Sequence, residues 1–268
     1  MEEAFGKLAS QVYGIETGIS SDPGMNWQIP ELGNRSILSF SDAHSAPKMA
    51  REATVFDLEK ASYENIRSAI ALSPTKNKIA YTLEFYPEEG KYHFSGHRNC
   101  KVSVGPDEIR SGGTTCRVCQ RRMTEGVLCR VQELSDKKLL DRVGEEMSSA
   151  GVKWFVDKQK KQPPFVKLVP LLEIAAESLG STVNSQKSKN LFAKLCTELE
   201  SELHVLLKAS LADIEKVGGM KVAQGVAKVR AGDIAIEPGY DGEYGKVRIW
   251  KEGEVKQLQN VPQLKLEF

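Results

Sequence analysis

The sequence predicts three parts in order: an α/β segment, a small metal-binding β module, and a helical domain that ends on a β-hairpin. Three observations predict this. Short apolar runs alternate with helical spacing up to about residue 72. A His-x-x-Cys and a Cys-x-x-Cys pair follow, and leucine stripes around a Gly-Gly turn fill most of the rest.

The whole chain sets the bounds. Its 268 residues suffice for two or three domains with cores of their own. The net charge of +1 gives no global field, so any nucleic-acid binding must come from local patches. No apolar run approaches the roughly 18 residues of a membrane span, and Met1-Glu2-Glu3-Ala4 does not open a signal peptide. Cysteines at 100, 116, 119, 129 and 196 show no disulfide framework, a reducing-compartment pattern. A soluble cytoplasmic protein without membrane contact is expected.

The elements follow in order. Gly14 to Ile19 reads as a short buried strand, and Ser20-Ser21-Asp22-Pro23-Gly24 as a loop. Ser36 to Phe40 is a second apolar strand, ending at Ser41-Asp42-Ala43-His44, and Ala53 to Phe56 is a third. Tyr63 to Leu72 is helical, with Ile66, Ala69 and Ile70 on one face. In a β/α barrel the carboxyl ends of strands carry the active site, so Asp42 and His44 can ligate one metal there. A capping Asp with a surface His is the plainer reading of the same residues.

Ile79 to Tyr86 is a strand, and Tyr92-His93-Phe94 is expected back as its hairpin partner. Fifteen residues separate the pair His97 and Cys100 from the pair Cys116 and Cys119. Two ligands three apart fit one tight turn, and two such turns supply a closed tetrahedral zinc site. The intervening residues suit two short strands, Lys101 to Pro106 and Ser111 to Thr115. A disulfide pair or free core cysteines are the alternatives, and His93 competes with His97 as the ligand. Arg117, Arg121 and Arg122 crowd the second turn, as a phosphate-facing patch or a solvated rim.

Glu133 to Ala150 reads as a charged helix, and Lys158 to Pro164 as a basic linker at a domain boundary. Leu168 to Leu179 and Lys189 to Leu207 are apolar helices, with His204 and Cys196 as packing residues. Leu211 to Arg230 resembles a helix-hairpin-helix around Gly218-Gly219. Lys216, Gly218, Gly219 and Lys221 would hold a DNA phosphate there, without reading sequence; a plain helical hairpin is the alternative. Asp233 to Glu237 and Lys246 to Trp250 close the chain as a hairpin around Pro238 to Gly245.

Taken together these residues resemble the endonuclease Q family. The resemblance rests on Glu16 to Pro23, Met25-Asn26-Trp27, Ser41 to Ser45, Arg51 to Phe56, the His97 to Cys119 knuckle, Gly126-Val127-Leu128, Arg130-Val131, Glu133-Leu134, the glycine hairpin and the Pro238 to Gly245 loop. It covers nearly the whole chain. It implies a partial PHP-type β/α barrel at 1–75, a zinc-binding domain at 76–135, a helix and linker at 136–164 and a C-terminal helical domain at 165–268.

The resemblance implies a metal-dependent DNA endonuclease that cuts 5′ to deaminated bases or abasic sites. Damaged DNA is the partner. Asp42 and His44 would ligate the catalytic metal (Mg2+, Mn2+ or Zn2+), Ser20 would help form the pocket for an everted base, and the knuckle would hold structural Zn2+. Two departures stand out. Phe40 occupies a position where a polar pocket residue is expected. The barrel's opening His-x-His is absent from the four histidines at 44, 93, 97 and 204. The sequence therefore reads as the C-terminal part of a family member, with an N-terminal PHP segment as an expected missing partner. A non-catalytic zinc-containing DNA-binding module and a purely structural or protein-binding zinc protein remain the alternatives.

Overall fold

The computed structural model describes residues 1–251. They fall into two compact units, 1–170 with 237–246, and 171–236 with the residues from 247.

In the first unit a short helix, Glu2–Phe5 (α1), precedes the parallel strands Gly14–Glu16 (β1) and Ser36–Leu38 (β2). Between them lies Pro23–Asn26 (α2). Asp22 caps it by accepting the Met25 N–H at 2.8 Å, and Pro23 fills the first position, where no N–H is required. The next strand, Ala53–Asp57 (β3), leaves this pair and runs antiparallel to Lys78–Glu84 (β4), with Tyr63–Ile70 (α3) between them. The register shifts between Val55 and Phe56, which pair with Tyr81 and Ile79 and pass over Ala80 of β4.

The middle of the unit holds Ser95–His97 (β5), antiparallel to Val102–Val104 (β6), then Pro106–Gly112 (α4) and Val127–Leu134 (α5). Helix α4 stands where the knuckle's second strand was expected to begin. Pro106 starts it, and the Glu108 carboxylate accepts the Gly105 N–H at 3.1 Å, so the local signals are those of a helix N-terminus. Tyr92-His93-Phe94 does not pair with β4. Both edges of β4 are taken, by β3 and by a later strand.

That later strand is Phe165–Lys167 (β9), preceded by Val143–Met147 (β7) and Lys153–Asp157 (β8). The five-stranded sheet runs β3-β4-β9-β8-β7. The charged helix expected over 133–150 is therefore corrected: α5 ends at Leu134, and residues 143–147 pair along β8 from Val143↔Asp157 to Met147↔Lys153. The basic stretch 158–164 connects two strands of this sheet. Asp157 gathers it by accepting the amides of Gln159, Lys161 and Gln162 at 2.9, 2.9 and 3.0 Å. The core beneath comprises Met25, Trp27, Ile29, Leu32, Ile37, Val131 and Phe165, with Trp27 edge-on to Phe165 at 5.3 Å.

The second unit contains Leu171–Ser178 (α6), Gln186–Glu198 (α7), Glu202–Leu207 (α8), Leu211–Gly218 (α9) and Met220–Ala231 (α10). The single helix expected over 189–207 is two. The chain breaks at Glu200, with φ of +69°, and Ser201 caps the new start by accepting the His204 N–H. The leucine stripe continues across the break, because Leu195, Val205 and Leu206 are all buried in this unit. Arg230 is buried and donates to the carbonyls of Val205, Leu206 and Ala209 at 2.8, 3.0 and 2.7 Å, closing the end of α8. Ala235–Glu237 (β10) and Lys246–Arg248 (β11) pair as the expected hairpin.

Candidate functional site

Three places carry the predicted chemistry. The first is an open cleft of about 660 Å³ at the carboxyl ends of β1 and β2. Glu16, Thr17, Gly18 and Ile19 wall one side, Phe40, Ser41 and Asp42 another, and Glu52 also faces it. Asp42 holds a φ of +42°, a left-handed conformation that a non-glycine residue adopts at a cost. His44 is exposed, and its Nδ1 lies 2.8 Å from the Asp42 carbonyl oxygen. With the proton on Nδ1 the ring is oriented and Nε2 is left free, as a metal-binding imidazole requires. Asp42 lines the cleft; His44 adjoins it through this contact, and Ser20 follows the lining residues Gly18 and Ile19 without itself lining the cleft.

Sequence reasoning missed the acids beneath. Glu84, 1% exposed, meets the hydroxyls of Ser39 (2.8 Å), Thr17 (3.4 Å) and Thr82. Burial pushes its carboxyl up to about 8. Burial likewise pushes Glu52 up to about 7, helped by the charge of Glu16. Nothing local in the sequence marks either position, since their surroundings are assembled from β1, β2, β3 and β4. Asp22 is occupied elsewhere: besides capping α2 it pairs with the half-buried Lys167 at 2.7 Å.

The second place is the knuckle. His97, Cys100, Cys116 and Cys119 each offer one ligand atom, all within 4.8 Å of one another, and this is the one such His/Cys/acid group among the described residues. His97 Nδ1 lies 3.2 Å from Cys119 Sγ. The thiols are unequal. Burial and the neighbouring thiols push Cys100 up to about 11, while backbone N–H groups, that of Cys119 foremost, draw Cys116 down to about 6. One nitrogen and three sulfurs converging at this distance fit a tetrahedral ion. His93 is elsewhere, 3% exposed and turned to the Ser20 carbonyl, so His97 completes the set. Arg117, Arg121 and Arg122 are exposed on the second turn.

The third place is the turn between α9 and α10. Gly219 has φ of +88° and open space where a Cβ would stand. Gly218 differs: a Cβ there would meet Leu195 Cδ2 at 3.0 Å, so the packing of α7 is itself a reason for a small residue at this position. Lys216 is exposed, and Lys221 lies 5.3 Å over the Trp250 ring. Cys196 and His204 sit on α7 and α8; burial pushes the Cys196 thiol up to about 11, and His204 lies 2.9 Å from Glu200.

With this geometry in hand, similarity to known proteins is informative. The crystal structure of the lesion-specific endonuclease PfuEndoQ from Pyrococcus furiosus superposes with a TM-score of 0.76 over 98% of this chain, at 28% identity. A structure of endonuclease Q with a 27-mer duplex substrate, an abasic lesion at its active site, gives 0.75 over the whole chain at 27% identity. The chain is a relative of endonuclease Q. Residues 170–233 match the family described as the MJ0043 C-terminal domain. Two further relatives are uncharacterized proteins: MJ0043 of Methanocaldococcus jannaschii, 30% identical over 87% of this chain, and YqxK of Bacillus subtilis, 28% identical over 89%. The chain spans 61% of each endonuclease Q structure, and 28% and 53% of these two relatives. No helix among the described residues is long and apolar enough to cross a membrane.

Proposed function

We propose that this chain is the lesion-handling part of a DNA repair endonuclease of the endonuclease Q type, hydrolysing the phosphodiester 5′ to a deaminated base or an abasic site. The observation that carries the reading is the likeness along the full chain to a lesion-specific endonuclease, with Asp42 at the mouth of a cleft at the strand ends. Asp42 and His44 Nε2 would hold a divalent ion, Mg2+, Mn2+ or Zn2+, whose chemistry is to activate water and to neutralise phosphate charge. His44 is aimed by the Asp42 carbonyl, and Asp42 itself lines the cleft. The loop before Ser20 and the exposed ring of Phe40 would receive an everted nucleotide, which a damaged pair releases at lower cost. Phe40 offers a stacking face and no hydrogen bond, so base choice would rest on shape more than on edge contacts.

The knuckle would hold structural zinc, and the α9–α10 turn would grip phosphates through Gly219, Lys216 and Lys221, with Gly218 as the packing partner of Leu195. On this reading the first part of the chain, 1–75, belongs to a PHP-type phosphoesterase domain.

The test is a labelled duplex with one hypoxanthine, incubated with manganese or magnesium. The chain alone should bind it and not cut it. Cutting should appear when the part of an endonuclease Q relative that this chain does not span is supplied in trans, and Asp42→Asn should abolish cutting while binding persists. Cutting by the chain alone that Asp42→Asn stops would show that its ligand set is sufficient. Cutting that survives Asp42→Asn in the reconstituted pair would remove Asp42 from the site.

A further inference from the structure

The loop that walls the cleft beside Asp42 ends at Ser20, and Ser20 is held from seventy residues away. His93 Nδ1 lies 3.0 Å from the Ser20 carbonyl oxygen, across a separation of 73 residues. His93 cannot readily turn aside. It is 3% exposed, its ring stacks on Phe94 at 5.5 Å, its amide donates to Gly90 O, and its carbonyl accepts the Leu128 N–H. A carbonyl can only accept, so Nδ1 carries the proton in this contact.

Gly90 supports the same residue. Its backbone is extended, with φ −63° and ψ 130°, a conformation open to any residue. Yet the three atoms nearest to a Cβ built there all belong to Ser20, with the Ser20 Cα at 2.7 Å and Cβ at 2.8 Å. Glycine is required at 90 by the approach of the Ser20 backbone. Any side chain would lift the loop.

We propose that His93 and Gly90 are positioning residues for the cleft: by holding Ser20 they fix the Gly18–Ile19 wall that precedes it and thereby set the preference for a lesion over undamaged duplex. This rests on the reading that the cleft receives the lesion. Binding sites tolerate displacements of only about 0.5 Å in their walls before selectivity falls. One hydrogen bond and one close contact hold Ser20 from the His93 side, while within the loop the Gly18 carbonyl accepts the Ser21 N–H at 2.8 Å. The knuckle ligand His97 lies four residues beyond His93, so the same stretch of chain serves both the metal turn and the cleft wall.

The experiment uses the full chain with three duplexes of one sequence: undamaged, with hypoxanthine, and with an abasic site. Dissociation constants are measured for the wild type, His93→Phe, His93→Asn and Gly90→Ala, together with hydrogen exchange over residues 17–22. Wild type should prefer the lesion duplexes. His93→Phe and Gly90→Ala should each lower that preference about fivefold, the factor for one net hydrogen bond, with affinity for undamaged duplex unchanged. Exchange at 17–22 should quicken in both. His93→Asn, whose amide nitrogen can take the place of Nδ1, should restore preference and protection, which a merely space-filling role would not do.

Preference and protection retained in His93→Phe and Gly90→Ala would overturn the positioning role. So would loss in His93→Asn equal to that in His93→Phe. A wild type that binds all three duplexes alike would overturn the cleft reading and the specificity role with it. The cleft reading is thus tested by the wild type alone, and the positioning role by the variants.

Discussion

Arg142 and Asp157 form a two-pronged pair in the core: Nε donates to Oδ1 at 2.8 Å and Nη2 to Oδ2 at 2.7 Å, with both side chains nearly inaccessible to water. The Arg142 Nη1 also reaches the Trp27 carbonyl at 3.0 Å, tying β8 to the segment after α2. Removing one member strands the other, at a cost of about 3–5 kcal/mol. Asp157→Asn should lower the thermal midpoint sharply. Burial alone would raise the Asp157 carboxyl, but Arg142 and the backbone N–H groups outweigh it and hold it down at about 2, below its ordinary 3.8. The folded state thus gains stability above about pH 4 and loses it as pH falls toward 2. Thermal melts of wild type and variant at pH 3 and pH 6 should show a gap that narrows in acid.

Glu84 behaves in the opposite sense. Its carboxyl is raised by burial from 4.5 to about 8, so the contribution is full below 4.5 and is lost as pH rises through 8. Glu84→Gln, which keeps the shape of the neutral acid, should match wild type at pH 5 and melt several degrees higher at pH 9. Equal melting at pH 9 would show that Glu84 ionises at little cost. The residual slope near pH 7 in the variant belongs to Glu52, whose carboxyl is raised to about 7.

The knuckle should bind one zinc ion per chain, and Cys116→Ser should release it. Cys116 is fully buried beside Val102, Val104 and Met123, so an empty site leaves a small core without its centre. Metal analysis after purification without chelator, with hydrogen exchange over 95–126, provides the check. Less than one zinc in the unmodified protein would remove the metal from the account.

Lys216→Ala and Lys221→Ala should weaken binding to all duplexes about equally, and each should reduce the salt slope by about 1. Gly218→Val would be a poor probe, because it strikes Leu195. An unchanged slope in both lysine variants would return the α9–α10 turn to a packing role.

The knuckle and the glycine hairpin were readable because their determinants are local: two ligands on one turn, or two helices around one pair of glycines. The five-stranded sheet was not. It draws strands from 53–57, 78–84 and 143–167, and nothing within Val143 to Met147 names Trp154 and Phe155 as its neighbours. For the same reason Glu133 to Ala150 looked like one charged helix. At the cleft, Asp42 was visible as an acid after an apolar strand, but Glu52 and Glu84 were not, since burial by other strands gives them their character. The role of His93 at Ser20 depends on a contact across 73 residues that no spacing rule encodes.

Asp241 bears on the order in which this chain can fold. Its carboxylate accepts the Arg98 amide at 2.8 Å and the Thr124 hydroxyl, across 143 and 117 residues, while Phe94 donates to Gly239 O. The rim of the knuckle is therefore finished by residues made long after it. During synthesis the Cys/His turns would emerge with these backbone groups still in water, and the last contacts would form only once residue 241 had left the ribosome. High sequence separation of this kind slows the final step of folding. A chain ended before Pro238 should bind metal yet leave the rim of that site frayed.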